Sequence, residues 1–135
     1  MTGMIYRKLL ETWTQLETLK NKGIKKVPPF YYIGERKCQI LHSRLRLGCS
    51  SLNNDLFLNH LRDNNKCTCG SPETATHFFF ECTNYDTVRI STLNQIPYQI
   101  NTDILLFGCP LYDNETNGEI FRHVHTFIVR SKRFD

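Results

Sequence analysis

Apolar residues recur at helical spacing along most of this chain, so the expected fold is mainly α. From Ile5 to Leu19, Leu9, Trp13 and Leu16 mark one amphipathic helix. From Glu35 to Leu47, Cys38, Leu41 and Leu45 fall on one side and Arg36, Gln39, Ser43 and Arg46 on another, and Gly48 supplies the stop. The turn Ser50-Ser51-Leu52-Asn53-Asn54 leads to a short helix over about Asp55 to Leu61. Tyr85 to Ile96 and Thr102 to Phe107 read as further short helices separated by Pro97. The last helix, about Glu115 to Lys132, sets Ile120, Val124, Phe127 and Ile128 on one face, with Arg130, Lys132 and Arg133 near its negative end.

Two aromatic clusters sharpen this outline. Asn21 to Pro29 breaks the pattern, and Pro28-Pro29 forces an extended path into Phe30-Tyr31-Tyr32. These rings either dock on a core or stack on bases beside a lysine-rich linker. The break divides the chain into residues 1–29, an N-terminal helix and basic linker, and residues 30–135, a helical domain. Phe78-Phe79-Phe80 cannot all face one way on a helix, so that segment is expected to be packed on more than one side.

Just before those rings lies the most informative spacing. Cys67-Thr68-Cys69, His77 and Cys82 offer four soft donors in one short segment, a donor set that suits zinc. Because a closed Cys₃His set leaves no open coordination position, the expected role is structural: a zinc-knuckle-like site embedded in the helical domain. In an extended segment Cys67 and Cys69 point to the same side, and Gly70 permits the positive φ that turns the chain back. Ser71-Pro72-Glu73 reads as a helix start with Ser71 as N-cap, which places His77 inside the helix. Cys82, five residues on, is about 140° further around an α-helix and belongs at or past its end. Glu81, at i+4 from His77, is a rival ligand, and His60 is a reserve.

Two other readings compete for the cysteines. Free thiols are often buried like small hydrophobes, but the polar flank Asp63-Asn64-Asn65-Lys66 is a poor place for that. Disulfides suit an exported chain, whereas Met1 to Leu10 has no apolar h-region and carries Arg7 and Lys8; the expected location is intracellular, nuclear or cytoplasmic. Cys38, Cys49 and Cys109 stand singly and are assigned to packing. His42 and His60 sit on predicted helices as satisfied or surface groups, and His123 and His125, two apart, face different ways.

Composition sets limits. The 135 residues suffice for one domain with a modest core, 40% hydrophobic and 22% charged residues suit a globular protein, and no apolar run has membrane-spanning length. The formal charge of +4 is unevenly spread: up to Lys66 there are 12 Lys and Arg against 5 acidic residues, and from Cys67 onward 5 against 8. A basic first half favours an anionic partner, with nucleic acid the default. The candidate contacts are Lys20, Lys22, Lys25 and Lys26 in the linker, and Arg36, Lys37, Arg44 and Arg46 on the following helix. A solvated basic surface is the alternative.

The run Ile40-Leu41-His42-Ser43-Arg44-Leu45-Arg46-Leu47, the Cys49-Ser50-Ser51-Leu52-Asn53 turn, and Cys67-Thr68-Cys69-Gly70 followed by Glu73-Thr74, His77-Phe78, Glu81-Cys82 and Tyr85 resemble the C-terminal tail of non-LTR (LINE-type) retrotransposon reverse transcriptases. The closing Phe127-Ile128 and Lys132-Arg133-Phe134 extend the likeness, which runs from about Pro29 to Phe134. Such a tail implies zinc at Cys67, Cys69, His77 and Cys82, nucleic acid as partner with RNA template foremost, and a neighbouring polymerase core. This chain departs in two ways. Only Thr68 separates the first two cysteines, where the related elements often have three residues, and no Asp-Asp pair or clustered acidic and histidine set for polymerase or endonuclease chemistry occurs. The expectation is a non-enzymatic nucleic-acid-binding module; a protein-interaction domain whose C-terminal helix docks on a polymerase core, or a truncated relic, are the alternatives.

Overall fold

In the computed structural model, which describes residues 27–135, helical segments follow one another with no strand among the described residues. A 3-10 turn at Pro29–Tyr32 leads to α1 (Arg36–Leu47) and α2 (Asn53–Leu58). The cysteine-bearing loop then enters a π-helical turn at His77–Glu81 and a 3-10 turn at Thr83–Tyr85. α3 (Asp86–Ser91), a 3-10 turn at Leu93–Gln95, α4 (Thr102–Phe107) and α5 (Asn114–Ser131) complete the domain. The mainly α class is as expected. The helix predicted over Ile5 to Leu19, with Lys20, Lys22, Lys25 and Lys26, lies outside the described residues.

The last helix forms the centre. Ile120, Phe121, Val124, Phe127 and Ile128 are all buried, and α5 packs against the Pro29–Tyr32 turn, α1, α3 and α4. Its apolar face is therefore covered by the domain's own elements. Phe78 lies 4.9 Å from Phe127 and 5.4 Å from Phe134, centroid to centroid, while Phe79 packs on Phe127 at 5.9 Å. The residues after His77 thus pack on more than one side, as three successive rings require. At the other end of α5, Phe30 meets Phe121 edge-on at 5.0 Å, and Tyr31 stacks on Phe121 and donates its hydroxyl proton to the Phe107 carbonyl at 3.1 Å. Tyr32 alone of that cluster is exposed. Gly108 makes the fit possible: its φ is +84°, and a Cβ there would stand 2.5 Å from the Phe30 ring.

Local chemistry explains the helix limits. Gly48, at φ +71°, closes α1 as predicted, with its N–H returned to the Leu45 carbonyl and that of Cys49 to Arg44. Asn101 and Asp113 cap α4 and α5 by accepting the N–H of Ile104 and Thr116. α2 starts two residues before the prediction and stops three short of it. Asp55 is used as an acceptor for the Ser50 N–H and hydroxyl, and Asn59 folds its amide back on the Asp55 and Gly48 carbonyls. The helix predicted from Tyr85 to Ile96 is broken at Thr92, whose φ and ψ of −129° and −84° are not helical and whose hydroxyl bonds the Val88 carbonyl instead.

One polar pair sits inside the core. His42 Nε2 is 2.7 Å from the Leu105 carbonyl, and His42 Nδ1 is 3.0 Å from His125 Nε2. A carbonyl only accepts, so His42 donates there; with that ring neutral, its Nδ1 accepts and His125 Nε2 is the second donor. Burial, reinforced by Arg46, holds the His42 imidazole well below its ordinary range and His125 at about 4.

Candidate metal centre

The hook that carries the first two cysteines is built by backbone pairing. Lys66 and Pro72 form an isolated antiparallel bridge, flanked by hydrogen bonds from Cys67 N–H to the Ser71 carbonyl and from Glu73 N–H to the Asn65 carbonyl, both 2.7 Å. Inside it the Gly70 N–H closes on the Cys67 carbonyl, and Gly70 takes a φ of +96°. The single-residue spacing at Thr68 is what this tight turn accommodates. The predicted helix start at Ser71-Pro72-Glu73 is corrected: these residues form the return arm of the hook. Thr74 opens the helix, its hydroxyl accepting the His77 N–H and its carbonyl that of Phe78.

The following turn solves the spacing problem between His77 and Cys82. On an α-helix their side chains would diverge by about 140°. Here the Cys82 N–H bonds the His77 carbonyl at 2.8 Å, an i to i+5 closure that widens the turn and brings the two residues over one another. Cys82 itself is extended, with φ −69° and ψ 122°, and ends the helix as expected. Arg89 fixes this ending. Buried on α3, it donates from Nε to the Phe79 carbonyl at 2.7 Å and from Nη2 to the Cys82 carbonyl at 3.0 Å, satisfying acceptors that the helix end leaves open.

The four donor atoms lie within 4.8 Å of one another. Cys67 and Cys82 sulfurs are 3.7 Å apart, Cys82 and Cys69 3.9 Å, and the Cys69 sulfur is 3.2 Å from His77 Nε2. Cys67, His77 and Cys82 are buried, and Cys69 faces solvent. Burial pushes the Cys82 thiol up to about 12, while the backbone N–H of Ser71 draws Cys69 down. Three sulfurs and an imidazole held this close can hold a metal ion, whose charge offsets the cost of keeping thiolates out of water.

Surrounding groups aim the donors. With Nε2 turned to the sulfurs, His77 presents Nδ1 to the Glu81 carboxylate at 3.7 Å, so Glu81 is an orienting partner of the imidazole and not a fifth member of the cluster. His60, exposed at the end of α2 with φ 61°, does not join the cluster. Asn84 donates to the Thr68 hydroxyl at 2.8 Å and ties the hook to the turn after Cys82.

Glu73, which the sequence offered only as a helix-start carboxylate, is the main missed residue. It is 2% exposed, accepts the Asn53 N–H, and receives Arg133 through both oxygens at 2.7 and 2.8 Å. Burial works against its charge, but Arg133 and the Asn53 N–H prevail and hold the carboxyl below the ordinary range. The pair clamps the end of the chain onto the hook. Glu73→Ala is expected to cost about 3 kcal/mol by urea unfolding, because it strands a guanidinium and an N–H; a loss under about 1 kcal/mol, the range of a surface pair, would contradict a buried clamp. Arg133 was legible as a charge near a helix end, but its partner sixty residues away was not.

The basic candidates separate. Arg36, Lys37 and Arg44 are exposed on α1. Arg46 is half-buried, with its Nε donating to the Leu106 carbonyl at 2.6 Å and its guanidinium carbon 3.9 Å from the Tyr31 ring centroid. Arg36, Arg44 and Arg46 line one groove of about 450 Å³ with Tyr31, Tyr32 and Gln39, whereas Lys37 is not part of it. Cys38 and Cys109 are buried as expected, and Cys49, assigned to packing, is exposed.

Fold and site define, over the described residues, a small mainly helical domain with a Cys₃His cluster at the foot of a π-helical turn. No family model, no curated protein and no solved structure matches the chain. No described helix is long and apolar enough to cross a membrane.

Proposed function

We propose that this chain is a non-enzymatic, zinc-stabilised module that binds single-stranded nucleic acid, RNA foremost, and that it derives from the tail of a retrotransposon reverse transcriptase. Zinc suits the donors: sulfurs at about 2.3 Å and a nitrogen at about 2.0 Å from a tetrahedral ion stand about 3.8 and 3.5 Å apart. Three of the six separations, 3.7, 3.9 and 3.2 Å, lie close to those edges, and all six are within 4.8 Å. When bound, the ion supplies a cross-link between hook and π-helical turn.

The observation that carries the nucleic-acid reading is the groove beside α1. It joins two exposed arginines, Arg36 and Arg44, to an exposed ring, Tyr32, over a floor of Tyr31 and Arg46. Phosphates and base faces require that pairing of cations with an open aromatic surface. Filter binding with a single-stranded RNA across a salt series tests it. Affinity is expected at low salt and should fall as salt rises, and Arg36→Ala or Arg44→Ala should each reduce the logarithmic salt slope by roughly 0.7. Tyr32→Ala should weaken binding by about 1–3 kcal/mol. No affinity at low salt, or none of these variants having an effect, rejects the reading.

One surface favours a second reading, a protein-interaction domain. Leu47, Leu58 and Leu61 are 63–72% exposed around the end of α1 and α2, and Phe57 is partly so. A clean monomer by light scattering, with no affinity for a co-expressed polymerase domain, counts against it.

A further inference from the structure

We propose that Cys69 is a peroxide-sensitive site whose oxidation forms a disulfide with Cys82 and releases the metal, so that the zinc staple is also a redox sensor. The inference rests on the zinc reading above and concerns the regulation of that same cluster.

Accessibility picks out the residue. Three of the four donors are buried, Cys82 fully and Cys67 and His77 nearly so, and only Cys69 is open to solvent, on the outer limb of the hook. A small hydroperoxide therefore reaches the cluster at one sulfur. Geometry then selects the partner. The Cys82 sulfur stands 3.9 Å from that of Cys69, already near, and must close to about 2.0 Å for a bond. Cys67 is a poorer partner for Cys69, because one intervening residue in a tight turn leaves little freedom to reach disulfide geometry. Cys67 and Cys82 are equally near each other at 3.7 Å, but neither is accessible to initiate the reaction.

The chemistry needs one oxidant, an organic or hydrogen peroxide. The Cys69 thiolate attacks the distal peroxide oxygen, the O–O bond breaks, and the leaving alkoxide or hydroxide takes a proton, giving a sulfenic acid. The Cys82 thiolate then attacks the Cys69 sulfur. The S–S bond forms as the S–O bond breaks, and the departing hydroxide leaves as water after taking a second proton. Two thiolates are oxidised by two electrons in all, and the peroxide is reduced by the same two. Two of four donors are then lost, and Cys67 with His77 alone is a weak site for a divalent cation. The new bond joins the same two segments that the ion joined, hook and turn end, so the helical core stays tethered while the ion leaves.

The test uses the full chain, zinc-loaded and carrying Cys49→Ser to remove the other exposed thiol. Hydrogen peroxide is added with a chromogenic zinc indicator, and samples are alkylated and mapped by mass spectrometry. The expected result is release of one zinc per chain in step with a peptide pair linking Cys69 to Cys82, reversed by a thiol reductant and re-added zinc. Cys69→His keeps a four-donor Cys₂His₂ set without the open thiolate and is expected to release zinc at least tenfold more slowly. A Cys67–Cys82 link, release without a disulfide, or equal rates in Cys69→His overturns the proposal. If that variant does not hold zinc, the mapped link in the Cys49→Ser protein decides alone. Zinc retained under peroxide overturns this inference and leaves the zinc reading standing, whereas reduced protein that binds no zinc overturns both.

Discussion

Stripping zinc from the purified protein with a chelator is expected to lower its unfolding free energy by several kcal/mol. An ion present at about a thousand times its dissociation constant contributes about 4 kcal/mol, and structural zinc in peptides with little other support approaches 10–16 kcal/mol. This domain has a core of its own around α5, so the smaller figure is the better guide. Loss should nevertheless spread inward, because Phe78 and Phe79, both fully buried, follow His77 directly and are positioned by the same π-helical turn. The wild type should bind one zinc per chain, measured by atomic emission on dialysed protein, and Cys69→Ala should lose it together with much of the thermal stability. Stoichiometry near zero in reduced wild type, or an unchanged melting curve after chelation, would refute a zinc staple.

Acidification is expected to give the second large effect, through the His42–His125 pair. The two rings meet inside the core, and burial with Arg46 nearby holds both below the ordinary histidine range, His125 at about 4. In the unfolded chain each would titrate near 6.5. Between those values the unfolded state binds more protons, so stability is complete above about pH 6.5 and falls as pH drops towards 4. His125 alone accounts for roughly 3 kcal/mol across that window, at about 1.4 kcal/mol for each pH unit, and His42 adds in the same direction. Urea unfolding at pH 7, 6 and 5, compared between wild type and His125→Gln at matched zinc, isolates the contribution of the pair, since the metal's own pH dependence is common to both. The variant should show the shallower pH dependence; parallel curves would remove the pair as the cause.

These two sites were legible to different degrees, and the difference is physical. The candidate ligand set lies within sixteen residues of chain, and side-chain chemistry plus spacing suffices to bring the four side chains forward. How they converge was legible only in part: the turn at Gly70 and the helix end at Cys82 follow from the sequence, the return arm and the widened turn do not. Ser71-Pro72-Glu73 carries the residues of a helix start, yet pairing of Lys66 with Pro72 wins because it closes the hook; Glu73 is turned inward to meet Arg133. The widening of the His77–Glu81 turn has no local signature either, since it depends on Arg89 taking the released carbonyls. His125 and Asn117 read as ordinary polar residues on α5. Each is buried by a partner distant in sequence, His42 for one and the backbone of Cys109 for the other.

The basic face shows the same division. Charge counting singles out Arg36, Lys37, Arg44 and Arg46 together, but only the packing of Tyr31 under Arg46 separates a half-buried anchor from the exposed cations and leaves a groove between them.

By itself, the sequence determined the helical class, the limits of α1, α4 and α5 to within a residue, the stop at Gly48, the apolar face of the last helix and which four side chains cluster. All of these rest on near-neighbour periodicity, capping and side-chain chemistry, which act within a few turns of chain. Tertiary structure alone decided the return arm of the hook, the π-helical closure, the Glu73–Arg133 clamp and the buried histidine pair. Each of these depends on satisfying a polar group taken out of water, and the group that satisfies it comes from wherever the fold happens to bring one.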